Sequence, residues 1–226
     1  MMLYHCVCSG EVSLKCIRRL AHRCAMKVTM KLREESTDIP ITKLERKNFD
    51  NLRYALDRQE LLSLMPKLGI CAEIGVAQGD FTQDIIAINN PGVLHLVDSW
   101  GSKRYGEKMM HNVMSRFSTQ IETGNVRINR GISTEILSTF EDGYFDWVYI
   151  DTVHDYEITR SELEICKDKV KPGGIIAGHD YCMGNWKKGL KYGVIEAVYN
   201  FCVENDWEIL YITSEIKNPS FALRRL

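Results

Sequence analysis

Residues 69–81 constrain this chain more than any other stretch: Gly69-Ile70-Cys71-Ala72-Glu73-Ile74-Gly75-Val76-Ala77-Gln78-Gly79-Asp80-Phe81. The apolar run at its start is short, as suits a parallel strand buried on both faces. Gly75 and Gly79 then bracket a turn in which the backbone can approach a ligand with no side chain in the way. Asp80 is placed to cap the helix that leaves. Strand, glycine turn and helix together open an α/β sheet, and such sheets bind ligands beyond the carboxyl ends of their strands.

The rest of the chain keeps this alternation. Strands are expected at 93–98, 126–130, 145–151, 175–178, 207–213 and 220–224, with helices at 80–88, 156–170 and 194–205. Lys217-Asn218-Pro219 is a short turn, so the last two strands must run antiparallel. Leucines at near-helical spacing predict one helix from Leu44 to residue 65, ended by Pro66 and Gly69. Arg53, Tyr54 and Arg58 could face the ligand pocket, although each arginine reads better as part of a solvated face. Residues 101–124 are an insertion in which Met110, Met114 and Phe117 share a helical face. They either cover the sheet edge or form a substrate lid.

Composition narrows the class. The 226 residues are 45% hydrophobic and 26% charged with a formal net charge of −1, ordinary for a soluble globular protein. There is no basic surplus for a long nucleic-acid footprint. No apolar run is long enough to span a membrane. Residues 1–38 read as a basic arm, helical or disordered, and 39–226 as the folded domain. The arm suggests a targeting peptide, or a metal site from His5, Cys6, Cys8 and Cys16. The gap between Cys6 and Cys8 is not that of a zinc knuckle. Cys71, Cys166, Cys182 and Cys202 read as reduced thiols, which points to a cytoplasmic protein.

Four polar strand ends are expected to converge: Glu73, Asp98, Asp151 and His179-Asp180. A buried carboxylate needs a partner, and four successive strands ending this way call for a ligand. A carboxylate in the first turn and another at the next strand tip suit an adenosyl group. The turn around Gly75, Ala77 and Gly79 would meet its amino-acid end. Asp98 would accept from two ribose hydroxyls, beside Ser99 and Trp100. Gly131, Ile132 and Ser133 would border the adenine.

These motifs resemble the class I S-adenosylmethionine-dependent methyltransferases, and within them the small-molecule O-methyltransferase-like group. The resemblance covers about residues 50–224. It rests on residues 72–81, Leu94-His95-Leu96-Val97-Asp98-Ser99-Trp100, Trp147-Val148-Tyr149-Ile150-Asp151 with His154 and Tyr156, Lys171-Pro172-Gly173-Gly174, His179-Asp180-Tyr181 and Gly193-Val194. It implies a Rossmann-like seven-stranded sheet, mostly parallel with an antiparallel last strand and helices on both faces. It also implies methyl transfer to a hydroxyl of a small sugar-like or phenolic acceptor, with no nucleic-acid partner; a homo-oligomer stays open. Related sugar and catechol-type enzymes hold a divalent ion after the fourth and fifth strands. That placement maps onto Asp151, His179 and Asp180, although magnesium prefers oxygen ligands. Without a metal, His154 or His179 would be the general base beside Asp151. Where relatives carry glycine after the strand-tip aspartate this chain has Thr152, and where many carry proline before the tryptophan it has Ser99.

Three rivals remain. A nicotinamide-dependent oxidoreductase shares the sheet but wants Gly-x-Gly-x-x-Gly in the first turn, where Val76 and Ala77 stand. A non-catalytic module could keep the S-adenosylmethionine pocket. An RNA methyltransferase would want a basic surface.

Overall fold

The computed structural model describes residue 39 and residues 42–185 and 187–226. The arm assigned to residues 1–38, with its cysteine and histidine donors, lies outside them.

Ten strands are described: β1 (Arg53–Ala55), β2 (Ile70–Ile74), β3 (Val93–Asp98), β4 (Val126–Arg130), β5 (Phe145–Ile150), β6 (Val170–Gly178), β7 (Gly184–Asn185), β8 (Leu190–Lys191), β9 (Trp207–Thr213) and β10 (Phe221–Arg225). Eight form one sheet in the order β1-β9-β10-β6-β5-β2-β3-β4, while β7 and β8 pair as a separate ribbon. From β6 to β4 the neighbours are parallel, and β10 is inserted antiparallel to both β9 and β6. The antiparallel closing strand is therefore as expected, but the sheet has eight strands rather than seven.

The extra strand corrects the helix expected over 44–65. That segment is a short 3-10 turn (Arg46–Asn48), strand β1 and helix α1 (Arg58–Leu64). β1 exists because Arg53, Tyr54 and Ala55 pair in parallel with Tyr211, Ile212 and Thr213. Helix α1 starts where the Asp57 carboxylate accepts from the Glu60 amide, closing an orphan donor of the first turn. The Asp57-x-x-Glu60 spacing was the legible signal against one long helix.

The remaining helices are α2 (Asp80–Asn89), α3 (Glu107–Arg116), α4 (Ser118–Glu122), α5 (Ser133–Ser138), α6 (Tyr156–Lys169) and α7 (Val194–Asn205). They cover both faces of the sheet. On one face Cys71, Trp147, Tyr149 and Ala177 pack with Leu61, Phe81, Ile85, Val113 and Phe117. On the alternate positions Ala72, Ile74, Val148 and Ile176 are fully buried, as strands covered on two sides require. In the 101–124 insertion Val113 and Phe117 join the core, whereas Met114 is exposed. Helix α3 thus covers the sheet edge, and only Ser102 and Tyr105 of the preceding loop reach the cavity described below. Among the described residues no helix is long and apolar enough to cross a membrane. Cys71, Cys166, Cys182 and Cys202 are free thiols.

Candidate active site

Parallel pairing brings the strand ends into one row. The amide of Gly75 donates to Val97, that of Asp151 to Ile74 and that of His179 to Ile150, at 2.8, 2.7 and 2.9 Å. Past this row lies a cavity of about 690 Å³. Glu73, Gly75, Ala77, Asp98, Ser99, Gly131, Ile132, Ser133, Asp151, His154, His179 and Asp180 all line it. Gly75 can be nothing else: at φ +91° its Cβ would stand 2.1 Å from the Asp151 carbonyl oxygen.

Two residues of the expected set are elsewhere. Trp100 is buried at 1% exposure and gives its indole N–H to the Ala77 carbonyl at 2.9 Å, bracing the turn from behind. Gly79 is the N-cap of α2 and packs on Phe117, so the capping position belongs to Gly79 rather than Asp80. Asp80, in the first turn, pairs with Arg116 at 2.8 Å.

Asp98 does more than was expected of it. Its Oδ2 accepts from the amides of Val76 and Ala77, both at 2.9 Å, and its Oδ1 from the amide of Trp100 at 2.8 Å. A carboxylate has about four lone-pair positions, so three are engaged within the protein. In this structure Asp98 thus holds the turn.

Glu73 is 1% exposed and hydrogen-bonds to Thr82. Burial pushes its carboxyl up to about 8, against the pull of Thr82, so it is protonated at neutral pH.

The opposite wall is a charged network. Arg58, expected on a solvated face, lines the cavity, 3.5 Å from Asp151 Oδ2 and stacked over the Phe81 ring at 4.5 Å. Burial works against its charge, but Tyr149 and Asp151 outweigh this and raise its pKa further. The sequence named it only as an alternative to a solvated face, because its place depends on where α1 docks. His179 Nδ1 is 3.5 Å from Asp151 Oδ2 and 3.4 Å from Asp180 Oδ2. Burial opposes its charge, yet the hydrogen bonds to Asp151 and Asp180 raise its pKa to about 9. The two carboxylates thus favour the protonated form of the ring. Asp180, at φ +55°, contacts His154 Nε2 and Asn218. Burial alone would raise its carboxyl, but His154 and His179 hold it well below the ordinary range. His154 also stacks on Tyr192 with centroids 4.2 Å apart. The donor atoms of Asp151, His154 and Asp180 lie within 4.8 Å of one another. A metal would thus meet His154 rather than the His179 expected.

Residues 72–181 match the family model of a methyltransferase domain. No curated protein sequence matches the chain. Among solved structures it is similar to the pyocyanin biosynthetic protein PhzM, with 12% identity and a TM-score of 0.58 over 74% of this chain and 54% of that one. It is similar to the trans-methyltransferase CalH in complex with SAH, with 15% identity and a TM-score of 0.55 over 74% and 55%. It is also similar to a SAM-dependent methyltransferase from Aquifex aeolicus, with 13% identity and a TM-score of 0.54 over 86% and 96%. The chain spans about half the length of PhzM and CalH. At these identities the structural likeness speaks for the fold, and the family match speaks for the domain. That match runs from the first buried strand through Asp180, so residues 72–181 match a methyltransferase domain family and the chain has the fold of the methyltransferases it is similar to.

Proposed function

We propose that this chain transfers a methyl group from S-adenosylmethionine to a hydroxyl of a small sugar-like or phenolic acceptor. One observation carries the reading: a single cavity joins a backbone-built cradle at Gly75–Asp98 to an aspartate–histidine cluster on the facing wall.

The residues fit the cofactor. The Gly75 turn admits a close backbone approach, the open position on Asp98 accepts a ribose hydroxyl, and Ser133 borders the base. Arg58 offers a guanidinium for the amino-acid carboxylate. When bound, S-adenosylmethionine supplies an activated methyl group on a sulfonium. The protein's own part is to align the acceptor oxygen and take its proton. Asp180 engages Nε2 of His154 and fixes the ring, leaving Nδ1 for the acceptor proton. His179, favoured as a cation, faces the carboxylates of Asp151 and Asp180.

The cluster of Asp151, His154 and Asp180 favours a second form of the reading, in which a divalent ion holds the acceptor oxygen. A mixed nitrogen and oxygen set suits manganese or zinc better than magnesium. Calorimetry with S-adenosylmethionine tests the first claim; no binding at millimolar concentration sinks it. A screen of sugar and phenolic acceptors with methyl-labelled cofactor, with and without chelator, tests acceptor and metal together. Chelator-insensitive turnover would leave His154 as the base.

A further inference from the structure

The turn that closes the sheet reaches the charged wall of the cavity from behind. Lys217-Asn218-Pro219 joins β9 to β10, and its sequence spells only a short connection. Asn218 is half-buried and is not part of the cavity wall, yet its Nδ2 donates to Oδ1 of Asp180. An amide that faces a carboxylate must present its NH₂ group, since the reverse would set two acceptors together. The other oxygen of the same carboxylate, Oδ2, contacts Nε2 of His154 and lies 3.4 Å from Nδ1 of His179. The two oxygens are thus divided between a neutral amide and the histidines.

That division needs a fixed turn, and the fold supplies one. Ser220, just after it, is fully buried. Its amide donates to Thr213 Oγ1 at 2.8 Å, its carbonyl accepts from the Thr213 amide at 2.9 Å, and its hydroxyl meets that of Tyr149 in β5 at 2.8 Å. The Ser214 amide donates to Ala55 of β1 at 2.9 Å, and the Pro219 carbonyl accepts from the Tyr181 amide at 2.8 Å. The turn is therefore tied to β1, to β5 and to the residue that follows Asp180. The carboxylate has less of its own to fix it. Rotation of an aspartate carboxyl about its last bond is broad and nearly two-fold, so the torsion does not choose which oxygen meets the histidines. Asp180 is only 4% exposed, and a buried acceptor left without a donor is costly. Without the amide, the carboxylate would turn toward other donors and loosen its hold on His154.

We propose that Asn218 is a positioning residue for methyl transfer: it occupies Oδ1 of Asp180 and so keeps Oδ2 on Nε2 of His154, which fixes the imidazole ring. The proposal rests on the reading of His154 as the group that takes the acceptor's proton.

The first test reads the His154 ring by nuclear magnetic resonance and needs no acceptor. In wild type labelled on histidine, the Nε2 proton of His154 should exchange slowly with water; its signal is identified by its absence from His154→Ala. Asn218→Leu keeps nearly the same volume and cannot donate. It should speed that exchange about tenfold or more, the scale of one hydrogen bond to a charged group, while S-adenosylhomocysteine affinity stays within about threefold by calorimetry and the melting temperature confirms folding. Should that variant not fold, Asn218→Ala carries the same measurement. Unchanged exchange in a folded variant overturns the proposal, as does a wild type whose His154 ring has no protected proton. With an acceptor from the screen, Asn218→Leu should lower turnover about tenfold at nearly constant KM. That loss should vanish in a His154→Ala background, because a residue acting through His154 then has nothing left to act on. A loss that persists there is merely structural and also overturns the proposal. If no acceptor turns over, the methyl-transfer reading fails, while the ring proton still decides whether Asn218 holds Asp180 on His154.

Discussion

The two walls of the cavity are built by different physics. Around Asp98 the carboxylate is satisfied by three backbone amides, those of Val76, Ala77 and Trp100, within one turn and the adjacent strand end. Around Asp151 and Asp180 the carboxylates are satisfied by side chains, Arg58, His154 and His179, that arrive from three different segments. Backbone amides cannot titrate or swing away. Ion pairs depend on protonation and on the docking of their elements. The first wall therefore suits a constant cofactor, and the second suits moving a proton.

The largest effect should separate the walls by function. His154→Ala should lower turnover about 10²- to 10⁴-fold, the usual worth of a positioned base, with S-adenosylhomocysteine affinity within about threefold of wild type. Single-turnover methyl transfer and calorimetry read the two numbers; loss of both together would show that His154 supports the binding wall instead.

Next in size, Asp98→Ala removes the acceptor of three amides and should weaken S-adenosylhomocysteine binding by about 100-fold, given roughly 1 kcal/mol for each hydrogen bond lost. Binding left intact would show that the turn keeps its shape without its carboxylate.

Arg58→Leu should weaken binding of S-adenosylhomocysteine about tenfold, on the scale of a charge-assisted hydrogen bond. It should leave 5′-methylthioadenosine, which lacks the amino-acid carboxylate, unaffected. Equal losses for both ligands would mean that Arg58 only props the Phe81 ring.

The smallest effect is on stability against pH. Glu73 has an ordinary value of 4.5, and burial raises it to about 8 in the fold. Between those values the folded chain keeps a proton that the unfolded chain releases, so stability falls as pH rises through that window. His179 acts in the same direction between 6.5 and about 9, because it stays protonated only when folded. Urea midpoints from pH 5 to 9 should decline, and Glu73→Gln should flatten the part below pH 8. A midpoint that rises with pH would contradict both assignments.

How much of this could be read in advance differs between the walls for the same reason. The Gly75 turn, Asp98 and the strand-tip aspartates were legible because each lies at a fixed step from a strand end, where local backbone geometry dictates its place. The antiparallel last strand was legible because Lys217-Asn218-Pro219 is too short for any other connection. Arg58 was not, since its approach to Asp151 spans 93 residues and depends on how α1 packs. The exchange of His179 for His154 beside the candidate ligands was hidden likewise: both lie near strand ends, and only the assembled charges hold His179 protonated. Strand β1 failed as a sequence reading because its pairing partner lies in β9, far along the chain.

By itself, then, the amino-acid order of residues 69–81 determined a strand, a glycine turn and a helix, and with the later strand ends it determined an α/β sheet with carboxylates at one pole. These are local matters of backbone sterics, periodicity and turn length. The tertiary structure decided which of those groups are charged, which are buried neutral, and which meet. Ionisation depends on burial and on neighbours brought from distant segments, and the order of residues alone does not contain those distances.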